Sequence, residues 1–112
     1  MNATVRTNNG LTIVDVHGHI DLSTSPALRK TMLDSLKNGN YLAANLADVK
    51  YIDSSGIASL LEVLKEAKGK GKKFMLFGLT DGVREVLQLT RLTGVFEIRA
   101  TEEEVLNSAK RA

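Results

Sequence analysis

The sequence predicts an α/β fold: a mixed sheet of four to five strands flanked by about four helices, in the order β-β-α-β-α-β-α-(β)-α. Three observations predict it. Short segments rich in β-branched and apolar residues alternate with segments whose apolar residues recur at helical spacing. The connections are short and place Gly, Asn, Asp, Ser or Thr where strands turn and helices start. The composition is 43% hydrophobic and 25% charged, with 4% aromatics and no Trp, so the core must be aliphatic. At 112 residues the chain is expected to be one domain, residues 1–112, without repeats or linkers.

Leu11 to Val16 is the first clear strand, running out at His17-Gly18. Asn8-Asn9-Gly10 before it is a turn signal, which makes Thr4 to Thr7 a short antiparallel partner. Ser23-Thr24-Ser25-Pro26 starts a helix, because a hydroxyl can cap orphan amides and Pro is tolerated in the first turn. Ala27, Leu28, Met32, Leu33 and Leu36 continue it, and Asn38-Gly39-Asn40 ends it with residues that accept left-handed geometry. Tyr41 to Leu46 reads as a buried strand, and Val49, Tyr51 and Ile52 lead into Asp53-Ser54-Ser55-Gly56.

A second helix follows from Ser55, with Ile57, Leu60, Leu61, Leu64 and Ala67 as its apolar stripe and Gly69-Lys70-Gly71 as its stop. Lys73 to Phe77 is an apolar strand buried on both faces, closed by Gly78. Thr80-Asp81 caps a third helix that carries Val83, Val86, Leu87 and Leu89-Thr90. Val95 to Ile98 is an edge strand. Thr101 and Glu104 then form a capping box for a last helix through Val105, Leu106 and Ala109.

Several functions lose support at this level. There is no Cys, hence no disulfide framework, thiolate metal site or cysteine nucleophile. Met1 to Thr7 is polar and no apolar run reaches the ~18 residues of a membrane helix, so a soluble cytoplasmic protein without membrane insertion is expected. The net charge of +2 gives no reason to expect nucleic acid. Five lysines between Lys65 and Lys73 read as a solvated helix end. Ile52 occupies the first glycine position of a nucleophile elbow, and neither Gly69-Lys70 nor Gly71-Lys72 continues as a phosphate-binding loop. His17 and His19 lack a third ligand, so no metal is expected. No paired carboxylates mark a cleft, and the chain is expected to be neither an enzyme nor in need of a cofactor.

The candidate site is Asp53-Ser54-Ser55-Gly56, at a strand-to-helix junction where Ser54 or Ser55 would be the N-cap. A phosphate there would carry close to two negative charges beside the positive end of a helix. The fold should tolerate it, whereas an acidic or closely packed partner on the same helix end would not. Gly56, Ala58 and Ser59 leave room for such a partner.

Three blocks give these residues a familiar order. They are Val16-His17-Gly18-His19-Ile20-Asp21-Leu22-Ser23-Thr24-Ser25-Pro26-Ala27-Leu28, then Val49 to Leu61 around Asp53-Ser54-Ser55-Gly56-Ile57, then Gly78-Leu79 through Val83-Arg84-Glu85-Val86-Leu87 to Phe96. From Leu11 to about Leu106 the chain resembles the STAS domain family, and within it the stand-alone anti-sigma factor antagonists. That resemblance implies a partner-switching cycle. The unphosphorylated domain binds an anti-sigma factor that is also a GHKL-type serine kinase, and a sigma factor is freed. The kinase phosphorylates the first serine after the aspartate, here Ser54, with Ser55 the second candidate; a serine phosphatase reverses the step. ATP belongs to the kinase. Asp21, Ser23, Asp53, Ser54, Ser55, Gly56, Ile57 and Ser59 are the expected partner-binding residues.

Two positions depart from the family's pattern. His19 stands where an acidic residue is frequent, and Asn45 where many members carry Asp. A second reading is that of an accessory subunit of a lipid-trafficking ABC transporter, which small STAS proteins also resemble. A monomer is expected, because no long exposed apolar stripe is evident.

Overall fold

Asn9 and Gly10, at φ 51° and 86°, fold the chain back on itself after its first seven-residue strand. A computed structural model describes residues 2–110. Its elements are β1 (Asn2–Asn8), β2 (Leu11–Ile20), α1 (Ser25–Leu36), β3 (Tyr41–Ile52), α2 (Ser54–Gly69), β4 (Lys73–Phe77), α3 (Asp81–Leu89), β5 (Glu97–Arg99) and α4 (Glu102–Lys110). They form one five-stranded sheet in the order β1-β2-β3-β4-β5. The hairpin β1–β2 is antiparallel and every other pair is parallel, as strands joined through helices require. The mixed α/β architecture and element order read from the sequence are those observed.

Helices α1, α2 and α3 cover one face, over an aliphatic core that includes Val14, Leu28, Met32, Leu46, Leu60, Leu76 and Leu87. Helix α4 covers part of the other face, where Val105 packs with Leu11, Ile13, Ala43, Met75 and Phe77. Residues of β4 from Phe74 to Phe77 alternate between the two cores, which explains why the strand is apolar throughout. The capping box of α4 is present. The Glu104 amide donates to Thr101 Oγ1 and the Thr101 amide to Glu104 Oε2, each at 3.2 Å.

Local expectations fail at three places. Strand β2 does not stop at His17-Gly18 but continues to Ile20, and β3 is one twelve-residue strand. Register shifts between Asp15 and His17 and between Gly18 and His19 absorb the mismatch, with Gly18 at φ 93°. Helix α1 ends at Lys37 without a left-handed residue, since Lys37 stays right-handed and Gly39 is not at positive φ. Lys72 instead reaches across to donate its ammonium to the Leu36 carbonyl. Helix α3 carries the expected residues, with Val83 and Leu87 buried and Leu89 at its end 76% exposed. The last strand is shorter than Val95 to Ile98 suggests, because Val95 and Phe96 belong to the turn before it.

One arginine ties the hairpin to α4. Arg6 Nε donates to Asp15 Oδ2 at 2.6 Å, and its terminal nitrogens donate to Glu102 at 2.6 and 3.0 Å. Asn45 and Asn8 complete the network with bonds to Asp15 and Glu102 at 2.8 and 2.7 Å. The arginine's hydrogen bonds hold both carboxyls below their ordinary range, with Asn8 adding to the effect on Glu102. Asn45 can donate to Asp15 in this cluster, where a third carboxylate would repel it.

Carboxyls depressed in the folded state stabilise it fully above their unfolded values, and that stabilisation is lost as pH falls through the folded values. Urea midpoints should therefore be level near neutrality and fall below about pH 4. Arg6→Ala should cost about 1 kcal/mol at neutral pH, a modest figure because Arg6 is partly exposed, and should flatten the acid limb. Equal acid slopes in the two proteins would remove the network from this account.

Candidate functional site

The parallel register of β2 on β3 sets Ile20 beside Ile52, so the loops that follow leave the sheet side by side. The Asp53 amide closes the junction by donating to the Ile20 carbonyl at 3.1 Å. Asp53 remains extended, at φ −103° and ψ −173°, and its carboxylate accepts from the Gly56 amide at 3.1 Å. The first helical bond of α2 runs from the Ile57 amide to the Asp53 carbonyl at 3.0 Å. The N-cap is therefore Asp53, not Ser54 or Ser55. The extended conformation needed at a cap falls on the last residue of the strand exit, and both serines are already helical.

This assignment frees Ser54. It is the first residue of α2 and exposed, while Ser55 is second and half-buried. Among the described residues neither hydroxyl takes a hydrogen-bond partner. Helix geometry leaves the Ser54 and Ser55 amides without intrahelical acceptors. A negative group on Ser54 would meet these amides and the positive end of a sixteen-residue helix.

Gly56 is buried under the junction, where an added Cβ would lie 2.5 Å from Ile52 Cγ1 and 2.6 Å from Ile20 Cγ2. The start of α2 thus rests directly on the ends of β2 and β3. Ile57 and Ser59 are also buried, at 5% exposure each, and the Ser59 hydroxyl points to the Ser25 carbonyl of α1 at 3.5 Å. Of the residues expected to meet a partner, Asp21, Ser23, Asp53, Ser54 and Ser55 reach the surface or its margin. Gly56, Ile57 and Ser59 shape that surface from beneath.

The neighbouring loop is organised by Asp21. Its Oδ1 accepts from the Ser23 hydroxyl at 2.7 Å, the Ser23 amide at 3.0 Å and the Thr24 amide at 3.2 Å. These bonds, the Ser23 hydroxyl first, lower its pKa. Thr24 occupies the N-cap position of α1 but makes no capping bond. Its hydroxyl accepts from the Asp21 amide at 2.9 Å and donates to the His19 carbonyl at 3.0 Å, so it serves the loop rather than the helix.

Sequence reasoning missed the apolar part of this edge. Leu22 is 75% exposed beside the two polar loops, and Tyr51 is 50% exposed at the end of β3. His19 meets Tyr51 edge to face, with ring centroids 5.9 Å apart. The sequence carries no signal for the exposure of Leu22, because exposure does not follow from a single residue type. The two histidines do not converge on a metal site. His17 Nδ1 bonds Asp48 Oδ2 at 2.8 Å, and among the described residues no three His, Asp or Glu side chains could share an ion.

The sequence profile of the STAS domain matches residues 2–105. An anti-sigma-B factor antagonist of Listeria monocytogenes is 30% identical over 91 residues, covering 80% of each chain. One from Bacillus subtilis is 28% identical over 92% of this chain and 94% of its own. The crystal structure of an anti-sigma factor antagonist from Mycobacterium paratuberculosis superposes with a TM-score of 0.88 at 24% identity, covering 97% of this chain and 93% of that one. It shares the fold.

Two substitutions probe the junction by urea denaturation. Gly56→Ala should destabilise by about 1–3 kcal/mol through overpacking against Ile20 and Ile52, and Asp53→Ala by about 1 kcal/mol through loss of the cap. Gly69→Ala, where nothing lies within 4 Å of the added carbon, is the control and should not destabilise.

Proposed function

Because the chain belongs to the STAS domain family, we propose that it is an anti-sigma factor antagonist whose unphosphorylated form binds an anti-sigma factor, with phosphorylation of Ser54 ending that binding. The observation that carries this reading is the division of roles at the start of α2. Asp53 holds the helix, and Ser54 stands exposed beside it, its hydroxyl without a hydrogen-bond partner among the described residues. A group added there changes the surface without removing a bond that the fold uses.

The partner in this reading is a cytoplasmic GHKL-type serine kinase that brings its own ATP. The Ser54 oxygen attacks the γ-phosphorus, ADP leaves, and the hydroxyl proton passes to a base of the kinase. This domain contributes the acceptor and its presentation, not catalysis. A serine phosphatase returns Ser54 to the hydroxyl form by hydrolysis.

The phosphate acts by charge and bulk. Close to two negative charges at the first turn of α2 gain the helix dipole and the amides of Ser54 and Ser55. The same charges oppose an acidic contact and hold apart a partner packed on Leu22 and Ala58, which are exposed nearby. Asp21 carries a carboxylate in the neighbouring loop, which leaves the sheet where the Asp53 amide bonds the Ile20 carbonyl, so phosphorylation adds negative charge to the same edge.

Incubation with the cognate kinase and ATP should add one phosphate by intact mass, and Ser54→Ala should abolish it. Ser54→Asp should weaken kinase binding at least tenfold, about 1.4 kcal/mol. Its urea midpoint should stay near wild type, because an acid at the first helical position suits the dipole. Unmodified Ser54 after that incubation, together with equal kinase binding by wild type, Ser54→Ala and Ser54→Asp, would sink the reading.

A further inference from the structure

Strand β1 is the outer strand of the sheet and, among the described residues, pairs only with β2. The turn determines which of its backbone groups are free. Asn9 and Gly10 are both left-handed, which makes a two-residue type I′ turn closing on the pair Asn8–Leu11. Such a closing pair exchanges hydrogen bonds, and bonded and non-bonded pairs then alternate. The β1–β2 register runs unbroken from Asn8–Leu11 to Asn2–His17, so Arg6, Thr4 and Asn2 also bond to β2. The N–H and C=O groups of Ala3, Val5 and Thr7 therefore point outward, away from the sheet.

Devices that normally blunt such an edge are absent from β1. It has no Pro, no Lys and no bulge, and its one charged residue, Arg6, is matched by Asp15 and Glu102. The opposite edge differs. Strand β5 has only three residues and the chain turns at once into α4.

We propose that β1 pairs antiparallel with β1 of a second copy of this chain, about a two-fold axis through Val5. The outward residues 3, 5 and 7 are symmetric about that point. Val5 then faces Val5 of the second copy, and Ala3 faces its Thr7, each pair exchanging two backbone hydrogen bonds. The five-stranded sheet becomes continuous across the dimer. Val5, 49% exposed in the single chain, packs against itself. Arg6 falls opposite Thr4, so like charges do not meet across the axis. A second copy meets each outward N–H and C=O of residues 3, 5 and 7 with its complement and brings no like charges together. The expectation of a monomer rested on side-chain exposure, whereas this edge is a property of the backbone.

Sedimentation equilibrium of the purified chain from micromolar to millimolar concentration tests it. The average mass should rise from 12.2 kDa toward twice that value. Val5→Pro removes an outward N–H that β2 does not use, so the hairpin should persist and the dimer should be lost. Val5→Lys, which places a charge opposite its own copy, is the second variant and should also remain at 12.2 kDa with an unchanged circular dichroism spectrum. Ser54→Ala should dimerise as wild type does, which separates this test from that of the serine switch. A mass of 12.2 kDa at every concentration, or dimerisation undiminished in both Val5 variants, overturns the proposal.

Discussion

Strands β2 and β3 end together, with Ile20 beside Ile52 and the Asp53 amide bonded to the Ile20 carbonyl. The position of every group at the candidate site depends on that closure. It brings the Asp21 loop and the Ser54 turn to one edge of the sheet. It also leaves no room for a side chain at residue 56, because the isoleucines fill the space beneath α2. The third parallel strand extends the same logic. The Thr80 hydroxyl donates to the Val49 carbonyl at 2.7 Å, and Gly82 sits against the Lys50 carbonyl, so α3 starts at this edge as well. Three helices consequently direct their N-termini to one side of the molecule, which makes that side receptive to negative charge.

The first turn of α2 separates the residue that holds the helix from the serine left exposed beside it. Asp53 satisfies the Gly56 amide and fixes the helix start. Among the described residues the Ser54 hydroxyl makes no bond that a modification would remove. Had Ser54 been the cap, its modification would have removed the bond that holds the helix, at a cost of about 1 kcal/mol. The loop next to it is self-contained in the same way, because Asp21, Ser23 and Thr24 satisfy one another and the His19 carbonyl. Leu22 is left at the surface by that arrangement.

Most of the architecture was legible because local signals agreed with one another. Asn9-Gly10 specified the hairpin, Thr101 and Glu104 the last helix, and the apolar run from Phe74 to Phe77 a strand covered on both sides. What was not legible depends on contacts far apart in sequence. The Arg6 network joins residues 9 and 96 positions away, and Lys72 serves the end of a helix 36 positions earlier. The extension of β2 through Gly18 required a bulge that only the pairing with β3 reveals. At the site, the residue types were readable but their roles were displaced by one. Asp and Ser are both good caps, and only the backbone conformation at Asp53 decides between them.

The claim that Ser54 can carry a phosphate without disturbing the fold is tested most directly by amide hydrogen exchange, followed residue by residue on the protein phosphorylated at Ser54 and on the unmodified protein. The account predicts changes confined to the Asp21 loop and the first turn of α2, with protection from Leu60 onward and along the Ile20–Ile52 ends of β2 and β3 unchanged. Loss of protection through the body of α2, or at the ends of β2 and β3, would contradict it.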